Sequence, residues 1–353
     1  MPEPTSTTPK RRGRLFRFGA AFVVLCALAG YLVVQYVTGG TGAPGCKVVS
    51  GQQGDAESYE FTPEQAVNAA TIAAVGTGRR MPERAIAIAL ATSLQESALR
   101  NIQHGDRDSL GLFQQRPSQG WGTDKQIMDP TYAAGIFYEH LSKVPGYMEL
   151  PLTVAAQHVQ RSGYPEAYAK HEPDATLLAA ALTGQTTATL TCDGRPETTA
   201  QATAVEGSAS AATGTDAVRA ALVRDFGRDA FQETGAEVGG TTTPAATPTR
   251  ASSPTSSPTP TPTVTARAHG RTVTVPVPEG ARTDATGRSE EARGWQLAHW
   301  AVANSSALHI ERVAYAGREW TAGSTNSQWR TTGTAGGGGA EASAGDVRIV
   351  TAQ

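Results

Sequence analysis

The strongest apolar run of the chain comes first. Residues 18–34 carry no charge, and residues 15–37 are apolar at nearly every position. A helix rising ~1.5 Å per residue crosses a ~30 Å hydrocarbon layer with about twenty residues, so 15–37 predicts a transmembrane helix. Farther on, the pattern changes to helical spacing with polar breaks. Thr62, Pro63 and Gln65 form a helix-start signature, a cap with proline at the first helical position and glutamine where a capping box wants it. The helix that follows should run to about Val75. Next, "MPERAIAIALATSLQESAL" opens with Pro82 and carries Ile86, Ile88, Ala89, Leu90, Leu94 and Leu99. It is apolar on nearly all sides, which predicts a central core helix with Glu96 in its last turn. Asp129-Pro130 opens a third helix, with Ala133, Ile136, Phe137 and Leu141 at helical spacing. "LTVAAQHVQ" and "PEAYAKHEPDATLLAAALTG" supply two more. No stretch from 60 to 190 alternates with period two for long, so residues 61–195 are expected to form a mainly α domain.

The flanks read differently. Residues 38–60 are Gly-rich and polar, a stalk. Residues 196–268 form a Thr/Ala/Pro-rich linker, with a short amphipathic helix expected at 216–231 from Val218, Leu222, Phe226 and Phe231. Its "TTTPAATPTRASSPTSSPTPTPT" cannot bury enough apolar surface to fold and is expected to be extended and disordered. Residues 269–353 predict a small α+β domain. "RTVTVPVP", "RVAYAGREW" and "DVRIVTA" are strands, and "SEEARGWQLAHWAVANSSALHI" is a helix with Trp295, Ala298 and Val302 on one face. "GTAGGGGAEASAG" is a flexible insertion before the last strand.

Charge sharpens the membrane reading. Lys10, Arg11, Arg12, Arg14 and Arg17 stand against Glu3 before and at the start of the apolar run. A basic tail at 1–14 is expected to keep the N-terminus cytoplasmic and to place the bulk of the chain outside the cell membrane. The run reads as an uncleaved signal-anchor, with a cleaved signal peptide as the alternative. Those five cations and one acid lie in a chain of net charge −2, so the remainder is near −6. That balance argues against nucleic-acid binding. Cys26 reads as membrane-buried. Cys46 and Cys192 bracket the expected helical domain in a compartment where disulfides persist, and their pairing is expected, with two free thiols as the alternative.

The candidate chemistry centres on Glu96. A carboxyl at the end of a buried helix loses solvation, which favours its protonated form. Such a group can donate its proton to a leaving-group oxygen, as glycosidic cleavage requires. Gly105 and Gly111 let the following loop turn sharply and a bulky chain approach. Gln114, Gln115 and Trp121 offer hydrogen bonds and a stacking face for sugar rings. His104 and His158 stand at no metal-ligand spacing, and neither a metal nor another cofactor is expected.

Glu96-Ser97 followed, after a Gly/Asp loop, by Gly-Leu-Phe-Gln at 111–114 resembles the lysozyme-like superfamily, specifically soluble lytic transglycosylase and goose-type lysozyme domains. The resemblance covers about residues 60–190. It implies a peptidoglycan-cleaving enzyme in which Glu96 is the general acid, Ser97 helps hold that carboxyl, and Gln114 lines a subsite. Asp106 matches an aspartate that places water in goose-type enzymes. A further aspartate beyond the glutamine is absent, since Gln115 and Arg116 stand there, and Asp108 is a weak substitute. "AAQHVQRSGYP" replaces the family's Ala-Tyr-Asn-Ala-Gly segment, leaving Tyr164 and Tyr168 as candidates for the tyrosine's role. A lytic transglycosylase is preferred, because the substrate's own 6-hydroxyl replaces the water. A goose-type hydrolase and a non-enzymatic peptidoglycan-binding scaffold remain the alternatives. The C-terminal unit resembles a wall-protein domain related to the zinc D,D-peptidase/hedgehog-like fold. The strand that should carry a metal-binding histidine is Asp346-Val347-Arg348-Ile349, with none, and His299 and His309 lie on or beside the helix. The resemblance therefore implies a non-catalytic relic that binds wall or partner, or a packing module.

Overall fold

The computed structural model describes residues 45–51, 57–194, 214–227, 267–277, 289–323, 328–332 and 345–352. The basic tail, the transmembrane helix expected at 15–37, most of the Pro/Thr linker, Phe231 and all but the last residue of the Gly-rich insertion lie outside these residues. Among the described residues, no helix is long and apolar enough to cross a membrane.

The helical region starts as its caps dictate. In α1 (Pro63–Gly78) the Thr62 side chain accepts the Gln65 N–H while the Gln65 side chain accepts the Thr62 N–H, closing the box. The second helix, α2 (Glu83–Ser97), is buried along nearly its whole length, and Ile86, Ile88 and Leu90 are wholly enclosed. It ends because Ala98 and Leu99 both take left-handed backbone, φ 52° and 57°. A short α3 (Asp124–Ile127) leads to α4 (Pro130–Ser142), capped by the Asp129 carboxylate on the Thr131 and Tyr132 N–H groups. Then come α5 (Leu152–Gln160), a 3-10 helix (Pro165–His171), α6 (Glu172–Leu182) and α7 (Thr215–Phe226). As its all-round apolar pattern predicts, α2 is the central element, packed by α1, α4, α5, α6 and the 3-10 helix.

Part of the expected stalk is ordered sheet. β1 (Cys46–Val49) and β2 (Ser58–Phe61) join β3 (Leu190–Cys192) in an antiparallel sheet of order β2-β1-β3. Three or four residues per strand are too few for the alternation to stand out, although Cys46 and Val48 point inward and Lys47 outward. Cys46 stands opposite Cys192 in the β1/β3 register, and the two form the expected disulfide, across a sequence separation of 146.

The C-terminal region is an antiparallel six-stranded sheet backed by one helix. Its strands are β4 (Arg267–His269), β5 (Thr272–Pro276), β6 (Ile310–Tyr315), β7 (Arg318–Thr321), β8 (Arg330–Thr331) and β9 (Asp346–Thr351), in the order β4-β5-β9-β6-β7-β8. The last strand therefore sits inside the sheet. Helix α8 (Glu290–Ala303) packs on β6 and β9, and also on α1, α6 and β3. It lies between sheet and helices, so its polar residues Gln296 and His299 are as buried as Trp295 and Trp300.

Buried polar contacts join the two regions. Gln296 donates to Thr77 Oγ1 at 2.8 Å, and Trp300 Nε1 donates to Asp225 Oδ2 at 2.9 Å. Asp225 also accepts from Thr71 Oγ1 and Arg224 Nε, which satisfies a carboxylate that is fully enclosed. The outer edge of β3 is closed by two indoles: Trp329 Nε1 donates to the Leu190 carbonyl at 2.9 Å and Trp320 Nε1 to the Cys192 carbonyl at 3.1 Å. The backbones meet at Gly184 (φ 80°), where a Cβ would lie 1.7 Å from the Ala292 carbonyl oxygen.

Candidate functional site

Glu96 sits in the last turn of α2, half-buried. Tyr168, from the 3-10 helix and wholly enclosed, donates its hydroxyl to Glu96 Oε1 at 2.7 Å. The Gln160 side chain, at the end of α5, also hydrogen-bonds the carboxyl. Burial pushes the Glu96 carboxyl above its ordinary range, and the bonds from Tyr168 and Gln160 draw it back only in part. The Tyr168 phenol is pushed up in turn, first by burial and then by the neighbouring carboxylate.

The loop after α2 is fixed to the same helix. Ser97 Oγ donates to the Leu112 carbonyl at 2.8 Å and Ser93 Oγ to the same oxygen at 3.1 Å. Gln160 Nε2 donates to the Phe113 carbonyl at 2.7 Å. The Ser97 hydroxyl thus holds the loop, and Gln160 ties the loop to the acid. Gly111 (φ 75°) is required because a Cβ there would lie 2.7 Å from the Ile127 carbonyl oxygen. Gln114 also has positive φ (47°), and its amide lies where a Cβ on Gly105 would be.

The other expected site residues divide. Gln115 is enclosed, pairs with Leu110 through its backbone and donates from Nε2 to the Ala133 carbonyl; its side chain braces α4. Trp121 is nearly enclosed, with its ring stacked 4.2 Å from that of His140. Asp106 is 94% exposed, with Arg107 Nε at 3.9 Å as its ion-pair partner. Asp108 accepts from the Ser118 N–H at 2.9 Å and Arg116 Nε at 2.7 Å, bonds that hold its carboxyl well below the usual carboxylate range. Of the two tyrosines, Tyr168 reaches Glu96, whereas Tyr164 is 77% exposed on the preceding loop.

Sequence reasoning missed Gln160 and Ser93. Gln160 occupies the segment that departs from the family pattern, so no motif marked it. Ser93 lies one turn before Ser97 on the same helix face, and that spacing was the available signal.

His104 and His158 are exposed, and among the described residues no group of three or more His, Cys, Asp or Glu is arranged to hold a metal ion. His299 is fully buried. Its Nε2 accepts the Thr189 N–H at 3.3 Å, so the ring proton is on Nδ1, donated to the Ala181 carbonyl at 2.7 Å. Burial holds this imidazole down at a pKa of about 4. His309 lies in the turn before β6, with φ 50°.

Comparison with known families gives a match at the other end of the chain from Glu96. The family model described as VldE, C-terminal domain, matches residues 240–342. The matched stretch takes in β4 to β8 and α8, and stops before β9. It is less than a third of the chain and leaves α1 to α7 unassigned. No curated protein matches the chain.

Proposed function

We propose that this chain cleaves the glycan strands of peptidoglycan as a lytic transglycosylase-like enzyme, with Glu96 as acid and then base. The observation that carries this reading is a half-buried carboxyl with a raised pKa, held between Tyr168 and Gln160 against the loop of residues 111–114. The carboxylic acid gives its proton to the glycosidic oxygen as the bond from the anomeric carbon breaks, and that bond's electron pair leaves with the oxygen. Glu96, now a carboxylate, takes the proton of the muramic 6-hydroxyl while O6 bonds to the anomeric carbon. The product has a 1,6-anhydro end, the acid is regenerated and no water is consumed.

One carboxyl suffices for this sequence, and that favours it over hydrolysis. Asp106 points into solvent beside Arg107, and Asp108 is committed to Arg116 and Ser118, so neither is aimed at a water on Glu96's substrate. With this reading go a lysozyme-like fold for the helical region and anchorage at the wall face of the membrane through residues 15–37. For the C-terminal unit, the buried bonds to Thr77, Ala181, Thr189, Leu190 and Cys192 favour a packing module over a free wall-binding relic.

The test compares the full chain with its Glu96→Gln form on purified peptidoglycan, with released muropeptides analysed by mass spectrometry. Anhydro ends from the wild type alone are expected. Reducing ends would replace the transglycosylase with a hydrolase. Co-sedimentation without release would leave a scaffold.

A further inference from the structure

The 3-10 helix that carries Tyr168 runs for seven residues, Pro165–His171. The hydrogen bonds of such a helix are poorly aligned, and runs beyond three or four residues are uncommon, so one of this length needs anchorage from outside. Side chains three apart in a 3-10 helix lie one above the other, which puts Tyr168 and His171 on one face. Both meet the last turn of α2. Tyr168 donates its hydroxyl to Glu96 Oε1 at 2.7 Å, and His171 Nε2 lies 3.2 Å from Gln95 Oε1. Consecutive residues of α2 thus receive successive turns of the 3-10 helix.

The amide oxygen of Gln95 only accepts, so the imidazole proton is on Nε2 and the neutral ring is the donor. The surroundings favour that neutral form. Burial lowers the His171 pKa first and the neighbouring Lys170 lowers it further, while Asp174, in the first turn of α6, acts against them. The ends of the 3-10 helix are held through backbone groups: Thr153 Oγ1 donates to the Pro165 carbonyl, and the Glu172 N–H bonds the Ala169 carbonyl where the chain passes into α6. Neither contact reaches α2. Among the described residues, Tyr168 and His171 are the side chains of this helix that hydrogen-bond α2. A small rotation of the 3-10 helix about its axis would carry the Tyr168 hydroxyl off the carboxyl, and the His171–Gln95 bond opposes that rotation.

We propose that His171 is a positioning residue for the Glu96 acid: through Gln95 it sets the rotation of the 3-10 helix and so keeps the Tyr168 hydroxyl on the carboxyl. This rests on the reading of Glu96 as the proton donor. His171 touches neither the substrate nor the carboxyl, and its effect passes through Tyr168.

The test follows the Glu96 carboxyl by carbon-13 NMR titration in the full chain. Loosening Tyr168 weakens a bond that favours the anion, so His171→Ala should raise the Glu96 midpoint by about 0.5–1 pH unit. Gln95→Leu removes the same bond from the side of α2 and should raise it equally, which keeps the test readable should His171→Ala fail to fold. The double variant should go no further than either single one. His171→Gln, a neutral donor, should restore the wild-type midpoint, which a pure charge effect of the imidazole would not allow. With Tyr168→Phe already in place, neither change should move the midpoint again. An unmoved or lowered midpoint in the single variants, shifts that add in the double variant, or shifts that persist without the phenol would each overturn the proposal. Cleavage is read separately as anhydro ends. If the midpoints move as expected and no anhydro ends form, the positioning stands and the glycosidase reading alone is lost.

Discussion

At the scale of single residues, the site is a contest between desolvation and hydrogen bonding at one carboxyl. Burial favours the protonated Glu96, while Tyr168 and Gln160 donate to it and favour the anion. The reaction proposed needs both states in turn, and a group poised between them serves better than one locked in either. Removing the phenol takes away a bond that favours the charged form. Tyr168→Phe should therefore raise the Glu96 pKa, and the alkaline limb of the pH–rate profile should move to higher pH. A limb that stays in place, or moves to lower pH, would show that Tyr168 acts on something other than this proton. In the sequence Glu96 stood out only by its company, Ser97 and the Gly/Asp loop leading to Gly-Leu-Phe-Gln at 111–114, because a lone acid near a helix end is most often simply solvated. Trp121 was not read correctly as an open stacking face. Its partner His140 lies nineteen positions on, and no local pattern shows that two rings will close on each other.

At the scale of elements, periodicity and caps carried far. The capping box at Thr62, the proline after Asp129 and the all-round apolar face of α2 each lead to the element found. What escaped was short and non-local. β1 and β2 are four residues each, and what makes them strands is pairing with each other and with β3, far along the chain. The disulfide fastens that pairing. Joining residues 146 apart removes loop-closure entropy from the unfolded chain worth about 5 kcal/mol in the chain-entropy account. A Cys46→Ser, Cys192→Ser double variant should lose about 2–5 kcal/mol of stability in denaturant unfolding. An unchanged midpoint and slope would mean that the Cys46–Cys192 cross-link adds nothing to the stability of the fold. Tethering the outer strand also matters for Trp320 and Trp329, whose indoles bond to the β3 carbonyls.

At the scale of the whole molecule, the described helices and the C-terminal sheet belong to one compact body. Sequence reading separated them with a linker, and the amphipathic pattern of α8 showed only the face toward the sheet. Its other face is polar in composition yet buried, because Gln296 and His299 find partners on α1, α6 and the approach to β3. Composition alone cannot show that a polar face will be satisfied by another part of the chain. Through α8 the C-terminal unit docks at the ends of α1 and α6, near the start of α2, where Thr183 bonds Glu83. Glu96 is at the opposite end of α2, about 20 Å along a helix that rises ~1.5 Å per residue.

The docking should weaken in acid. His299 is neutral in the fold with a pKa of about 4, against 6.5 for the free imidazole. Between these values the unfolded chain binds a proton that the folded chain does not, so stability is lost as pH falls from 6.5 to 4. The loss from this one group is on the order of 3 kcal/mol. His140 and His171, also lowered by burial, act in the same direction. Unfolding measured across that window should show the decline in the wild type and a shallower one in His299→Gln. Equal slopes would remove the buried imidazole from the account.

The central claim concerns the proton on Glu96, and the most direct measurement is the titration of that carboxyl by carbon-13 NMR in the full chain. The account predicts a midpoint above the ordinary value of 4.5. A midpoint at or below it would mean that the hydrogen bonds outweigh burial, leaving a carboxylate with no proton to give.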